Sequence, residues 1–139
     1  MIKRISQRTP DDCVACVVAM VMGYTYERVQ NDSMSYEKQN NKGKFLEWWV
    51  EYIQHQGLRI EFRPFMEAYN LWKSHDRTVG ILGMTVPDQR RRHVVAVDSA
   101  GVIDPADGFP EHMHLSDYVM SRLPQGVVFD TEYLAIYRE

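Results

Sequence analysis

Cysteines and long hydrophobic runs are both scarce in this sequence. No apolar run of signal-peptide length precedes Pro10, and no later segment approaches the length that crosses a membrane. Only two cysteines occur, and Cys13 and Cys16 lie too close along the chain to join distant parts of a fold. We therefore expect a cytoplasmic protein with free thiols, no disulfide and no membrane partner.

A large excess of charge of either sign is absent as well. The chain has 16 Lys and Arg against 19 Asp and Glu, a net charge of -3, so its overall field favours neither nucleic acid nor an anionic membrane as a partner. The one basic cluster is Arg90-Arg91-Arg92. We expect it to be a solvated loop tip within residues 87–92, with a grip on an acidic substrate segment as the alternative.

What the chain does have is enough apolar material for a core of its own. Of its 139 residues, 45% are hydrophobic and 12% aromatic, and no stretch is both polar and repetitive. A chain of this length buries a core without disulfides or a structural metal. We expect residues 1–139 to form a single domain that needs no cofactor and no metal.

The clearest local signal is a helix over residues 13–22. Turn and N-cap residues precede it at 9–12 and Gly23 follows it, so both of its ends are marked. Its sequence, C-V-A-C-V-V-A-M-V-M, is apolar on every face. Because such a helix has no solvent-facing stripe, we expect it to lie at the centre of the molecule.

The rest of the first half alternates short elements with one long loop. The predicted elements, in chain order, are a short helix at 25–29, a polar loop at 30–42, a helix at 45–57, an edge strand at 58–62 and a short helix at 65–73. Thr25 is the expected cap of the first of these helices. The helix at 45–57 has an aromatic face, which we expect to belong to the core.

In the second half the hydrophobic period changes from that of a helix to that of a strand. The predicted elements are strands at 79–86, 94–97 and 102–103, a helix at 115–123, and one bent or two short strands at 127–137. The first three strands follow one another closely and read as an antiparallel meander. Helices first and strands second predict an α+β fold, with the central helix packed on a C-terminal antiparallel sheet.

Cys13 stands where a helix favours a reactive thiol. At the first turn, unpaired backbone N–H groups and the positive end of the helix dipole favour thiolate over thiol. Cys16 lies one turn further into an apolar helix, where burial raises a thiol pKa and leaves it inert. Cys13 is therefore the candidate nucleophile.

A thiolate nucleophile also needs a proton donor for the leaving group, and histidine is the usual one. Among five histidines, His93 opens a predicted strand, so its side chain has a definite direction on a rigid element. We expect His55 and His75 at the surface, and His112 and His114 in a surface loop. His93 is the candidate general base.

Two further residues complete the candidate site. Asp104 ends the strand that follows His93 after one tight turn, so a hairpin places its carboxylate beside the imidazole, where it can fix the tautomer. Asp98 and Asp107 are the fallbacks for this role. Gln7, six residues before Cys13, can aim its amide at the same point as the Cys13 N–H and complete an oxyanion hole.

These residues occur in an order that resembles the papain-like cysteine peptidases. The resemblance is greatest to the compact kind that removes double-glycine leader peptides from bacteriocins, and to small related proteins of bacteria and phages. The matching pieces are Q-R-T-P-D-D-C-V-A-C-V-V-A-M-V-M-G at 7–23, T-Y-E-R-V at 25–29, H-V-V-A-V-D at 93–98 and V-I-D-P-A-D-G at 102–108.

The resemblance implies a papain-like fold and assigns a role to each site residue. In that pattern the glutamine is the oxyanion residue, the first cysteine the nucleophile, the strand-opening histidine the general base and the aspartate before proline its orienter, which are here Gln7, Cys13, His93 and Asp104. Val14 stands where these peptidases carry glycine, and we expect it to crowd the cleft. No transporter segments are attached, so we do not expect a role in leader export.

Together these features predict a cysteine hydrolase that cleaves a peptide or other amide or isopeptide bond in a peptide or protein substrate. Three alternatives stay open. One is an inactive papain-like binding or inhibitory module, possibly phage-encoded and aimed at a host protein. Another is a zinc site made of Cys13, Cys16, His112 and His114. The last is thiol–disulfide exchange through C-V-A-C, although that motif usually follows a strand in a βαβ unit.

Overall fold

Helices pack on both faces of an antiparallel sheet in this computed structural model, which describes residues 2–8, 12–40, 48–87, 91–106 and 112–138. The α-helices are α1 (Cys13–Met22), α2 (Tyr26–Asn40), α3 (Trp48–His55) and α4 (Leu115–Arg122), with 3-10 helices at Phe65–Ser74 and Leu123–Gln125. The strands are β1 (Arg59–Pro64), β2 (Thr78–Val86), β3 (Arg91–Asp98), β4 (Gly101–Ile103), β5 (Val128–Phe129) and β6 (Glu132–Tyr137). The α+β class is confirmed.

The sheet is built around the predicted meander. Its strand order is β1-β6-β2-β3-β4, with β5 also paired to β2, and every pairing is antiparallel. The region 127–137 forms two short strands, and β1 lies at an edge of the sheet, as its alternation indicated. The edge strand β4 has only three residues, so Asp104 leaves the sheet beside the middle of β3.

The central position predicted for α1 is confirmed. Every residue from Cys13 to Val21 is buried, and the helix packs against β3 and β2 over the first core, which includes Val94 and Ile81. It ends at Gly23, which has a φ of 70°, a left-handed conformation that glycine adopts without steric cost. The end of the helix and its burial therefore follow from local sequence.

A second core fills the opposite face of the sheet. The 3-10 helix Phe65–Ser74 and α4 cover it, and they contribute Leu71 and Tyr118, which pack against Leu82 and Val95 of the central strands. The sequence predicted both helices but not the face that they cover. The sheet is thus enclosed on both sides, and α4 lies on the side away from α1.

The predicted loop at 30–42 is wrong over most of its length. Helix α2 begins after Thr25, whose hydroxyl accepts the N–H of Arg28 at 3.1 Å as a cap, and continues to Asn40. The segment contains neither glycine nor proline, and its polar residues do not prevent a helix once part of it is docked. Ser33 is buried, and Asp32 accepts the hydroxyl of Tyr52 in α3 at 2.7 Å.

The extent of one further helix differs from the prediction. Helix α3 covers only Trp48–His55 of the predicted 45–57, and residues 41–47 lie outside the described part of the chain. Trp49, Tyr52 and Ile53 do pack on the first core. Among the described residues, none of the helices combines the length and the apolar character needed to cross a membrane.

The basic cluster is not a loop tip at its C-terminal end. Arg91 and Arg92 belong to β3, because the β2–β3 ladder continues through Thr85 and Val86, and residues 88–90 lie outside the described part. The Arg92 guanidinium forms a two-contact ion pair with Asp130, one contact being 2.6 Å. The Arg92 guanidinium is thus engaged in an ion pair within the fold. His93 is consequently the third residue of its strand and not the first.

Candidate active site

Cys13 is the first residue of α1, and the carboxylate of the residue before it, Asp12, points away from the first turn of the helix. Asp12 lies at the N-cap, but its side chain does not cap the helix. Its Oδ2 instead accepts the backbone N–H of Arg8 at 3.0 Å and the hydroxyl of Tyr26 at 2.9 Å. The predicted capping role is therefore wrong for Asp12, while residues 9–11 lie outside the described part. The carboxylate is held away from the first-turn N–H groups, which keep their positive potential toward the thiol.

Cys13 and His93 are brought together although they are far apart in the chain. Cys13 is 6% exposed, and its side chain is hydrogen-bonded to the imidazole of His93, which is equally buried. His93 lies opposite Met84 in the β2–β3 ladder. The contact thus depends on how α1 is docked on the sheet.

The imidazole has a second partner in Asp104, with 2.8 Å between His93 Nε2 and Asp104 Oδ1. The register explains this contact: Ala96 pairs with Ile103, so continuing the ladder by one residue puts Asp104 beside Val95. His93 is two residues from Val95 and therefore on the same face, which makes it a diagonal neighbour of Asp104. Since Nε2 is engaged by the carboxylate, Nδ1 is the nitrogen left for the thiol.

Asp104 is held as an anion despite being only 1% exposed. Besides His93, it accepts the N–H of Ala106 at 2.9 Å and the hydroxyl of Tyr118 at 2.5 Å. Burial raises the pKa of this carboxyl, but the hydrogen bonds from His93, Tyr118 and Ala106 outweigh it, so that the pKa lies below its ordinary value. The carboxylate is charged and fully bonded.

His93 is correspondingly held as a cation over a wide pH range. Burial alone lowers the pKa of an imidazole, but here the hydrogen bonds to Asp104 and Cys13 outweigh burial and raise the pKa of His93 to about 9. An imidazolium between a carboxylate and a thiol is the protonation state that stabilises a thiolate nucleophile.

Gln7 lies alongside the first turn of α1. The residue before it, Ser6, accepts the Cys16 thiol through its carbonyl, and the residue after it, Arg8, donates its N–H to Asp12. The backbone N–H of Gln7 donates to the carbonyl of Pro105 at 2.8 Å. The segment that carries the candidate oxyanion residue is therefore fastened to the loop that carries Asp104.

Cys16 has the inert environment that was predicted. It is fully buried, and its Sγ lies 3.6 Å from the carbonyl oxygen of Ser6. Burial, followed by the negative charges of Asp12 and Cys13, raises the pKa of its thiol to about 12. The two cysteines, three positions apart, thus occupy different chemical environments, and both are free thiols.

The fallback carboxylate that the structure describes, Asp98, does not approach His93. Asp98 is buried in the β3–β4 turn, where it accepts the N–H groups of Ile2, Ala100 and Gly101 and contacts His112 Nε2 at 3.2 Å. Asp107 lies outside the described part of the chain. Asp98 therefore organises a turn, and it was the wrong choice as an orienter.

The other histidines are placed apart from the site. His55 and His75 are exposed, as predicted. His112 is half-buried against Asp98, which differs from the expected surface loop, whereas His114 is exposed at a cavity of about 330 Å³ between the 3-10 helix Phe65–Ser74 and α4.

The proposed zinc ligands are not brought together. Cys16 faces Ser6 and His112 faces Asp98, and the described residues contain no group of three or more His, Cys, Asp or Glu arranged to hold a metal. The setting of a thioredoxin-type motif is also missing. Such a motif follows a strand in a βαβ unit, and the described part of the chain ahead of α1 contains no strand. Val14, the residue expected to crowd the cleft, has its side chain buried in the first core.

Sequence reasoning missed Tyr118. It lies 14 positions after Asp104, in the middle of α4, and its hydroxyl reaches the carboxylate from the second core. Its only sequence signal is an aromatic residue on the apolar side of a short helix, which is typical of ordinary core packing.

A comparison of the chain with models of known protein families finds no match, and a comparison with curated proteins finds none either.

Proposed function

We propose that this protein is a papain-like cysteine hydrolase that cleaves a peptide or other amide bond through an acyl-thioenzyme. The observation that carries the proposal is the position of His93. Its imidazole is hydrogen-bonded to the Cys13 thiol on one side and, at 2.8 Å, to the buried Asp104 carboxylate on the other. A nucleophile, a base within hydrogen-bond reach and a third group that orients the base are the parts that nucleophilic catalysis requires.

The first half of the proposed reaction forms the acyl-enzyme. The Cys13 thiolate attacks the amide carbonyl, and the oxyanion is stabilised by the Cys13 N–H together with the side-chain amide of Gln7. The C–N bond then breaks as the imidazolium of His93 gives its proton to the departing amine. The acyl group is left as a thioester on Cys13, and His93 is left neutral.

The second half releases the acid. Neutral His93 takes a proton from a water molecule, the resulting hydroxide attacks the thioester, and the thiolate of Cys13 leaves with His93 protonated again. Throughout, Asp104 accepts a hydrogen bond from Nε2, which keeps Nδ1 toward the sulfur. Transfer of the acyl group to an amine uses the same residues in the same roles.

The architecture also supports the proposal. The nucleophile stands at the start of a fully buried helix, and that helix packs on an antiparallel sheet whose neighbouring strands supply the base and its orienter. This is the layout that the papain-like resemblance implies. With His93 protonated, the imidazolium lies between two anions, so the Asp104 carboxylate and the Cys13 thiolate each have a positive neighbour while the site keeps a net negative charge.

The reactivity of the two thiols with iodoacetamide, measured against pH, tests the proposal. We expect Cys13 to be alkylated at about pH 6 nearly as fast as at about pH 8, because the His93 imidazolium holds the thiolate, while an unassisted thiol slows about tenfold per unit below its pKa. Cys16 is expected to stay unlabelled in the folded protein. His93→Ala should remove the fast reaction at low pH.

Two matched variants serve as controls for this measurement. Cys16→Ala leaves Cys13 as the sole thiol, and His55→Ala removes an exposed histidine at the end of α3 without touching the site. Both should leave the pH profile of Cys13 unchanged. Slow labelling of both cysteines with the same pH dependence would contradict the hydrolase proposal and favour an inactive papain-like binding or inhibitory module.

A further inference from the structure

Tyr118 contacts the proposed triad from an element that carries none of its members. It is fully buried in the second core, and its hydroxyl lies 2.5 Å from Asp104 Oδ2 and 3.7 Å from the Met84 sulfur. Of these two neighbours, the carboxylate is by far the stronger acceptor, because a thioether sulfur accepts hydrogen bonds weakly.

The two oxygens of Asp104 have different partners. Oδ1 faces His93 Nε2 and the N–H of Ala106, whereas Oδ2 accepts the hydroxyl of Tyr118. The terminal torsion of an aspartate side chain is broad, so contacts on one oxygen leave the carboxylate free to twist. A donor on each oxygen fixes the plane of the carboxylate and determines which oxygen meets the imidazole.

Arg122 sets the direction in which the Tyr118 hydroxyl donates. One turn further along α4, its side chain is hydrogen-bonded to Tyr118 and also donates to Gln125 at 2.9 Å. A guanidinium only donates, so the tyrosine oxygen accepts from Arg122 and must place its own proton elsewhere. The remaining strong acceptor is Asp104.

We propose that Tyr118 is a positioning residue of the site: its hydroxyl fixes the Asp104 carboxylate so that Oδ1 meets His93 Nε2 and Nδ1 stays available to the Cys13 thiol. The catalytic consequence rests on the proposed function, whereas the effect on the imidazole tautomer does not. A core-filling tyrosine would exert neither effect through its oxygen.

Nitrogen-15 NMR of the histidine ring distinguishes a positioning Tyr118 from one that only fills the core. The protein is titrated from about pH 5 to about pH 10, and the ring nitrogen shifts report the tautomer of neutral imidazole. The measurement is made in a Cys13→Ala background, so that Asp104 is the acceptor that selects the tautomer. We expect neutral His93 to carry its proton on Nε2. Adding Tyr118→Phe should move both ring nitrogens toward the averaged values of mixed tautomers.

Tyr133→Phe is the matched control. It removes the same atom from another buried tyrosine of the second core, on β6, which is three strands from β4 in the sheet. Ring nitrogen shifts of Tyr118→Phe identical to those of Tyr133→Phe and the parent would overturn the proposal. If Tyr118→Phe fails to fold, Arg122→Gln decides, because it releases the hydroxyl and should shift the tautomer in the same direction.

The kinetic arm uses the protein with Cys13 intact. Tyr118→Phe is expected to slow the alkylation of Cys13 near neutral pH by about tenfold, the effect of losing one hydrogen bond to a charged group. An unchanged rate, in a protein whose wild-type Cys13 is reactive, would contradict the positioning role. If wild-type Cys13 is itself unreactive, the proposed function fails, while the ring nitrogen shifts still decide what Tyr118 does.

Discussion

At the scale of single residues, two glycines of β2, Gly80 and Gly83, have very different surroundings. A Cβ on Gly80 would lie 2.8 Å from the ring of Tyr133 and 2.9 Å from a methyl group of Val97, both buried in the second core. A Cβ on Gly83 would instead fall on the Arg92–Asp130 ion pair, whose side chains are partly exposed at their ends. The first site is enclosed by rigid groups and the second by movable ones.

We predict that Gly80→Ala lowers the free energy of unfolding by about 1–3 kcal/mol, because the ring and the strands around it must shift to admit a methyl group. Gly83→Ala should stay within about 1 kcal/mol of wild type, since the ends of Arg92 and Asp130 can move aside and alanine relieves the entropy cost of a strand glycine. Urea unfolding monitored by circular dichroism measures both. Equal effects of the two substitutions would contradict this account.

At the scale of elements, the N-terminal segment acts as a strap across the end of the sheet. The Arg4 guanidinium donates to the carbonyl of Asp104 at 3.3 Å and to that of Ala106 at 2.7 Å, and the Gln7 N–H donates to Pro105. Three consecutive carbonyls after β4 are thus held by one extended segment. The strap positions the loop of Asp104 and the segment of Gln7 relative to each other.

Replacing Arg4 by methionine keeps an apolar stem and removes both donors to this loop, together with the hydrogen bond from Arg4 to the Ser6 hydroxyl. We expect the Gln7 amide to exchange with deuterium faster in Arg4→Met, because the loop that accepts its hydrogen bond is less well held. We also expect stability to fall by about 1–2 kcal/mol. Lys3→Met, at an exposed position of the same segment, is the control. Equal exchange rates of the Gln7 amide in both variants would mean that Arg4 does not fasten the loop.

At the scale of the whole molecule, the buried site makes stability depend on pH. The pKa of His93 is raised to about 9, above its ordinary value, so between these two values the folded protein binds a proton that the unfolded chain does not. This contribution is complete below about pH 6.5 and is lost as the pH rises toward 9. The lowered pKa of Asp104 acts in the opposite direction: its contribution is present above its ordinary pKa and is lost in acid.

This prediction is tested in Cys13→Ala, which removes the other titrating group of the proposed ion pair. In that background we predict that the free energy of unfolding falls by about 1–3 kcal/mol as the pH is raised from about 6.5 to about 9. Adding His93→Gln should largely remove the slope, because the replaced side chain does not titrate. Urea midpoints at several pH values measure the slope in both proteins, and parallel slopes would show that other groups control alkaline stability.

Several features of this molecule follow from short stretches of sequence. The extent of α1 is set by the turn residues before it and Gly23 after it, and its burial by a sequence with no polar face. Alternation and tight turns are enough for the β2–β3–β4 meander, and that hairpin places Asp104 next to His93. All of these depend on neighbours within about one turn or one hairpin.

Other features depend on contacts between segments that are distant in the chain. Helix α2 extends to Asn40 because the helix is docked through Ser33 and the Asp32–Tyr52 contact, a gain that local propensity does not contain. The Arg92–Asp130 pair joins residues 38 positions apart, at a part of β3 that was expected to be a loop tip. Such pairs form only once strand order and register are settled.

The features of the candidate site also fall into those set by local sequence and those set by contacts between distant segments. Composition and spacing by themselves determined that Cys13 stands at a helix start, that Cys16 is buried and that a carboxylate lies one tight turn beyond the strand of His93, because helix ends and hairpins are local structures. Only the tertiary structure decided that the Asp12 carboxylate turns toward Tyr26, and that Tyr118 reaches Asp104 from the opposite core. Those contacts depend on how α2 and α4 pack, which no short stretch of this chain encodes.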